Sequence, residues 1–176
     1  MLDSDEPALP DDARTVLVLS SATAGSGACA ALAGRGERVL LVGYAGTTAG
    51  DLRERLAEQF EEPPPVRALD VGGEIELSDL TGQGITVAET LSPETAVCFD
   101  SLGALLQYTD LEQVFQFVHS LAERCAASSA TMHVHLDPAA VDDRAVAALS
   151  TLADAVVDVE AGETTLQPEL ELTGKD

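Results

Sequence analysis

Residues 15–33 read TVLVLSSATAGSGACAALA: a Val- and Leu-rich run, a loop of small residues, and a small-residue helix over 28–33. A strand passing through a glycine-bearing loop into a helix is where a parallel α/β protein places a phosphate-binding turn. The working form of that turn is G-x-x-x-x-G-K-[ST]. Its backbone N–H groups cradle phosphates, its Lys reaches the β/γ-phosphates and its hydroxyl holds Mg²⁺. In this chain Ala22 takes the place of the first Gly and Gly27 keeps the second, while Ala28 stands at the Lys position and Cys29 at the hydroxyl position. The turn can survive these changes, but the charge that would stabilise a transferring phosphoryl group is gone. The expectation is a protein that is not an enzyme of the NTPase kind.

Working outward, further apolar runs bounded by Gly, Pro, Ser or Asp occur at 38–43 (RVLLVG), 85–89 (ITVAE), 96–100 (AVCFD), 131–136 (TMHVHL) and 155–159 (AVVDV). Short Val-rich runs of this kind read as parallel strands covered on both faces. Between several of them lie helical periodicities. Leu52, Leu56 and Phe60 recur at i, i+4, i+8 within 48–60. Leu111, Val114, Phe115, Val118, Leu121 and Ala122 line one face of 110–128, and Val146, Leu149 and Leu152 do so within 142–152. Strands alternating with amphipathic helices predict a three-layer α/β fold, a mostly parallel sheet with helices on both faces. A C-terminal hairpin is expected over 160–172, turning at 161–163. Residues 61–84, opened by Pro63–Pro65, form the least regular stretch and read as an exposed excursion with a short strand at 66–71. The division expected is an acidic mobile leader over 1–14, a single domain over 15–172 and a tail over 173–176.

Composition narrows the partners. The chain has 176 residues, enough for one well-buried core, with 31 acidic against 9 basic residues and a formal charge of −22. Lys175 is the single lysine, yet 45 % of the chain is hydrophobic, so this is not the signature of disorder. A folded core in an acidic coat fits a halophilic cytoplasm, where the Debye length falls to about 3 Å at 1 M salt and crowded carboxylates repel little. The alternative is an acidic domain that binds basic partners. Nucleic acid is disfavoured as a ligand, because no basic stripe or aromatic platform exists to meet phosphates and bases. No signal peptide or membrane-spanning run is apparent, and a cytoplasmic location is expected. Cys29, Cys98 and Cys125 are scattered without a C-x-x-C pair, which indicates neither a disulfide framework nor a cysteine zinc site; they read as buried thiols.

At 96–106 the chain reads AVCFDSLGALL. A hydrophobic strand ending in Asp-Ser, then Leu and a small residue, resembles the Walker B segment of the RecA/KaiC family of ATPases. Residues 111–126 resemble the helix that follows it in the family, 131–136 the next core strand, and 149–160 (LSTLADAVVDVE) a later family segment. The resemblance spans roughly 15–172 and implies a degenerate RecA-like core; the chain is also similar to small, uncharacterised haloarchaeal (archaeal) proteins that are reduced relatives of this family. It implies that Asp100 matches the acid that would coordinate Mg²⁺ through water, with Ser101 after it as in the family. Gly25, Ser26 and Gly27 still offer backbone N–H groups at a helix N-terminus. Cys29 is a poor ligand for a hard, oxygen-seeking cation. The family's acid just past the second strand has no counterpart, since Gly43-Tyr44-Ala45-Gly46 occupies that region and the next carboxylate is Asp51.

The same residues admit other readings. Gly25-x-Gly27-x-x-Ala30 fits the loose dinucleotide fingerprint, but that site wants an acid at the end of the second strand, which Gly43-Tyr44 does not supply. His133-x-His135-x-Asp137 would project to one face of a strand, as in metal-dependent hydrolases. A catalytic zinc needs three protein ligands, though, and His119 lies mid-helix, so packing and strand-end polarity are the expected roles. Asp100 is either a Walker B relic or a polar strand terminus, and no His is placed by sequence as a base for Ser101. The expectation is therefore a pseudo-ATPase: a non-catalytic regulatory or protein-interaction module with no cofactor and no metal. Its expected partner is an active ATPase relative or a second copy of itself. The alternative is a nucleotide-binding sensor that binds ATP with Mg²⁺ but does not efficiently hydrolyse it, through Gly25, Ser26, Gly27, Asp100 and Ser101.

Overall fold

A computed structural model of the chain describes residues 13–21, 25–43, 48–72, 75–100 and 102–166. Seven strands form one sheet: β1 (Thr15–Leu19), β2 (Arg38–Gly43), β3 (Val66–Asp70), β4 (Thr95–Asp100), β5 (Thr131–Leu136), β6 (Ala155–Asp158) and β7 (Glu163–Leu166), in the order β3-β2-β4-β5-β1-β6-β7. All neighbours run parallel except β6 and β7. The helices are α1 (Gly25–Ala33), α2 (Ala49–Gln59), α3 (Leu80–Thr90), α4 (Leu102–Leu106), α5 (Leu111–Ala127) and α6 (Asp143–Ser150).

Alternation along each strand sends side chains to two separate cores. Leu17, Leu19, Leu40, Val42, Val97, Phe99, Met132 and Val134 meet Val87 of α3, Leu102 and Leu105 of α4, Val114, Phe117 and Leu121 of α5, and Leu149 of α6. On the other face Val39, Leu41 and Cys98 pack under Ala30 and Ala33 of α1 and Leu52 and Leu56 of α2, while Val16, Val18 and Val157 meet Ala28 and Leu32. The small residues of α1 let that helix lie close on the sheet. Gly34, just past its end, is needed for room, because a Cβ there would run into the Phe60 ring. The three-layer α/β fold expected from sequence is the fold observed.

Two local expectations need correction. Residues 85–89, read as a strand from their β-branched run, belong to α3. Asp79 caps that helix by accepting a hydrogen bond from the Gly82 N–H at 2.9 Å, and Gln83 is fully buried, donating to the carbonyls of Glu76 and Leu77. The hairpin is β6–β7, turning through 159–162, so its first arm lies earlier than 160, and 167–172 fall outside the described residues. Helix α4 carried no periodicity long enough to announce itself. Among the described residues no helix is long and apolar enough to cross a membrane.

Candidate functional site

Strand order determines what gathers at the site. β5 stands between β1 and β4, so the helix that follows β1 faces Asp100 across β5. Open α/β sheets bind ligands beyond the carboxyl ends of their strands, and α1 begins at that end. Gly25 and Gly27 lie in its first turn together with Ser26, whose side chain is outside the description; residues 22–24 and Ser101 also lie outside the described residues. Gly27 is exposed with open space where a Cβ would be, and its carbonyl accepts from Gln59 Nε2 at 3.1 Å. Ala28, at the expected Lys position, is buried beside Val16, Val18 and Leu32. Its side chain points into the core rather than toward a phosphate.

The α1 face of the sheet carries two polar levels, set two residues apart along β4 and β5. The upper one joins Asp100 at the end of β4, His135 near the end of β5, and Ser20 just past β1. His135 Nδ1 lies 3.1 Å from Asp100 Oδ1, and His135 Nε2 lies 3.1 Å from the Ser20 carbonyl oxygen. Both ring nitrogens thus face oxygen acceptors, and only the imidazolium donates to both. Burial pulls the His135 pKa down, but the hydrogen bond and charge of Asp100 and the Ser20 carbonyl outweigh it and raise it above its ordinary value. The two side chains keep 10 % and 18 % of their exposure, so this is a largely interior ion pair. Ser20 Oγ is buried with no hydrogen-bond partner among the described residues.

The lower level brings together residues that look unrelated in the chain. Cys98 and His133 are register partners on β4 and β5, and Cys29 comes down onto them from α1. Cys29 Sγ lies 2.7 Å from Cys98 Sγ and 3.1 Å from His133 Nε2. Donation from Cys98 holds the Cys29 thiol down to about 5 against the cost of burial, with help from the charge and hydrogen bond of His133. The same contact, with burial, pushes Cys98 well above its ordinary value. The two thiols thus shift in opposite directions because each answers to the other across one contact. Cys125 has no part in this; burial alone pushes it up to about 11.

The expectation of three separate buried thiols is thus corrected for two of them: Cys29 and Cys98 touch across 69 positions of sequence. His133 and His135 do share a strand face, but they divide between the two levels, and Asp137 joins neither, its Oδ1 accepting instead from the Ala139 N–H. The signal in the sequence was a pair of patterns, Cys98-x-Asp100 and His133-x-His135, each placing two polar groups on one face of an otherwise apolar strand. What the sequence lacked was the adjacency of the strands.

Fold and site together define a three-layer α/β domain whose first helix brings a buried alanine and a thiol onto the sheet. Its fold is similar to the crystal structure of the flagellar accessory protein FlaH from Methanocaldococcus jannaschii, with a TM-score of 0.53, 14 % identity, and coverage of 82 % of this chain and 70 % of that one. The chain belongs to the family of unknown function DUF7504, whose model matches residues 13–159. No curated protein matches its sequence.

Proposed function

We propose that this protein is a non-catalytic regulatory or protein-interaction module on a RecA-like core, docking on an active ATPase relative or on a second copy of itself. The observation that carries this reading is what has become of the positions that do chemistry in the family it resembles. Ala28 is packed into the core, Cys29 is engaged by Cys98 and His133, and Asp100 is paired with His135. Phosphoryl transfer depends on positioned cations around the β- and γ-phosphates. Here the Lys position supplies no charge, and the acid that would hold the metal's water is already engaged by the His135 ring.

A second reading, a sensor that binds ATP without efficient hydrolysis, draws on the first turn of α1. The leading N–H groups of a helix have no intrahelical acceptor and favour anions, and Gly27 leaves open space there. Calorimetric titration of ATP with Mg²⁺ into the folded protein in molar KCl separates the two. The module reading expects no saturable heat up to millimolar ATP and no phosphate release. Saturable binding that Gly27→Val weakens would replace it with the sensor, and turnover lost in Asp100→Ala would overturn both.

A further inference from the structure

Cys29, Cys98 and His133 reach one point from three elements, and their ligand atoms all lie within 4.8 Å of one another. We propose that these three side chains bind a single thiophilic metal ion of the Zn²⁺ type, held by two thiolates and one imidazole with a fourth position left for a small exogenous ligand.

The donor set is the first argument. Two sulfurs and an imidazole nitrogen suit Zn²⁺ and other soft or borderline ions, and exclude Mg²⁺ and Ca²⁺, which require oxygen. Where the resembled family has a hydroxyl for Mg²⁺, Cys29 offers sulfur, so the change abolishes a hard-cation position and completes a soft one. Placement is the second argument. Cys98 is 0 % and His133 3 % exposed, on a sheet face whose other buried residues include Val16, Val18, Val39 and Leu41. Polar groups in such a setting are retained where they have a partner to satisfy, and strand register holds Cys98 and His133 side by side at the centre of the sheet.

Loading releases the Cys98 thiol proton to solvent and requires a small movement. Two sulfurs bound at about 2.3 Å to a tetrahedral ion stand about 3.8 Å apart, so the Cys29–Cys98 pair opens by about 1 Å. Cys29 is the half-buried member and α1 is built of small residues, so the adjustment falls on the helix side while the strands stay fixed. An ion here would pin α1 to β4 and β5, and with it the first turn carrying Gly25 and Gly27. The site stands whether the domain docks on a partner or senses a nucleotide.

The test is a titration of the full chain, reduced and stripped of metal with a chelator, with Co²⁺ followed by Zn²⁺. One equivalent of Co²⁺ should produce a thiolate-to-metal charge-transfer band together with tetrahedral d–d bands, both displaced by Zn²⁺, and Zn²⁺ should raise the thermal midpoint. The charge-transfer band should be lost in Cys29→Ser and reduced in His133→Ala, and retained in Cys125→Ala. Circular dichroism of each variant establishes that it is folded. Absence of the band in folded, reduced wild type would overturn the proposal, and so would a band that persists undiminished in Cys29→Ser. Closure of Cys29 and Cys98 into a disulfide, with no metal taken up after its reduction, would overturn it in favour of a redox pair.

Discussion

His135 sits between two acceptors, Asp100 at the end of β4 and the Ser20 carbonyl just past β1, and Asp100 is itself largely withdrawn from solvent. Removing one partner of a largely buried pair leaves the other uncompensated, which costs more than the pair itself contributes. Asp100→Asn and His135→Gln should each lower the unfolding free energy by about 3 kcal/mol, the lower end for buried pairs because Asp100 keeps some exposure. The double variant should lose far less than the sum. Denaturant unfolding of the four proteins measures the coupling, and additivity within about 0.5 kcal/mol would refute the pairing. At this scale the sequence reading singled out Asp100, Ala28 and Cys29 by their resemblance to family motif positions. It did not assign His135 to Asp100, because nothing local connects positions 35 residues apart.

Among the elements, α3 shows how local propensity can mislead. Ile85, Thr86 and Val87 favour a strand by their branched Cβ atoms, but the segment is settled by its cap and by what it buries. Asp79 starts the helix, Val87 faces the core, Ile85 is left 54 % exposed, and Gln83 closes the preceding turn from inside. Gln83→Leu should therefore cost about 1–3 kcal/mol, since the Glu76 and Leu77 carbonyls lose their donor. Ile85→Ala should stay within about 0.5 kcal/mol. Equal losses in the two variants, read by denaturant unfolding, would contradict this account of α3. Elsewhere helix starts were legible because they use local chemistry. Thr48 and Asp51 form a reciprocal capping box at α2, and Asp110 and Asp142 cap α5 and α6. Part of the acidic excess thus serves helix N-termini, where a carboxylate also favours the dipole.

For the whole molecule the remaining carboxylates form a self-repelling coat. A formal charge of −22 on 176 residues weakens the compact state at low ionic strength. Raising KCl from about 0.1 to 2 M should then raise the thermal midpoint by at least about 2–4 °C, equivalent to roughly 1 kcal/mol for a domain of this size. A midpoint unchanged or lowered by salt would show that the coat is electrostatically neutral to folding. The sequence by itself determined the α/β class and the alternation of covered strands with amphipathic helices, and it placed Ala28 and Cys29 just after the glycine-bearing turn. All of these rest on periodicity and on residues within one turn or strand of each other. Only the tertiary structure decided that β5 lies between β1 and β4, and therefore that Cys29 meets Cys98 and His133 while His135 meets Asp100. Strand order is a non-local outcome of crossover connections. Two strands with the same alternation carry no mark of which will be neighbours, so chemistry shared between strands becomes visible only once the sheet is assembled.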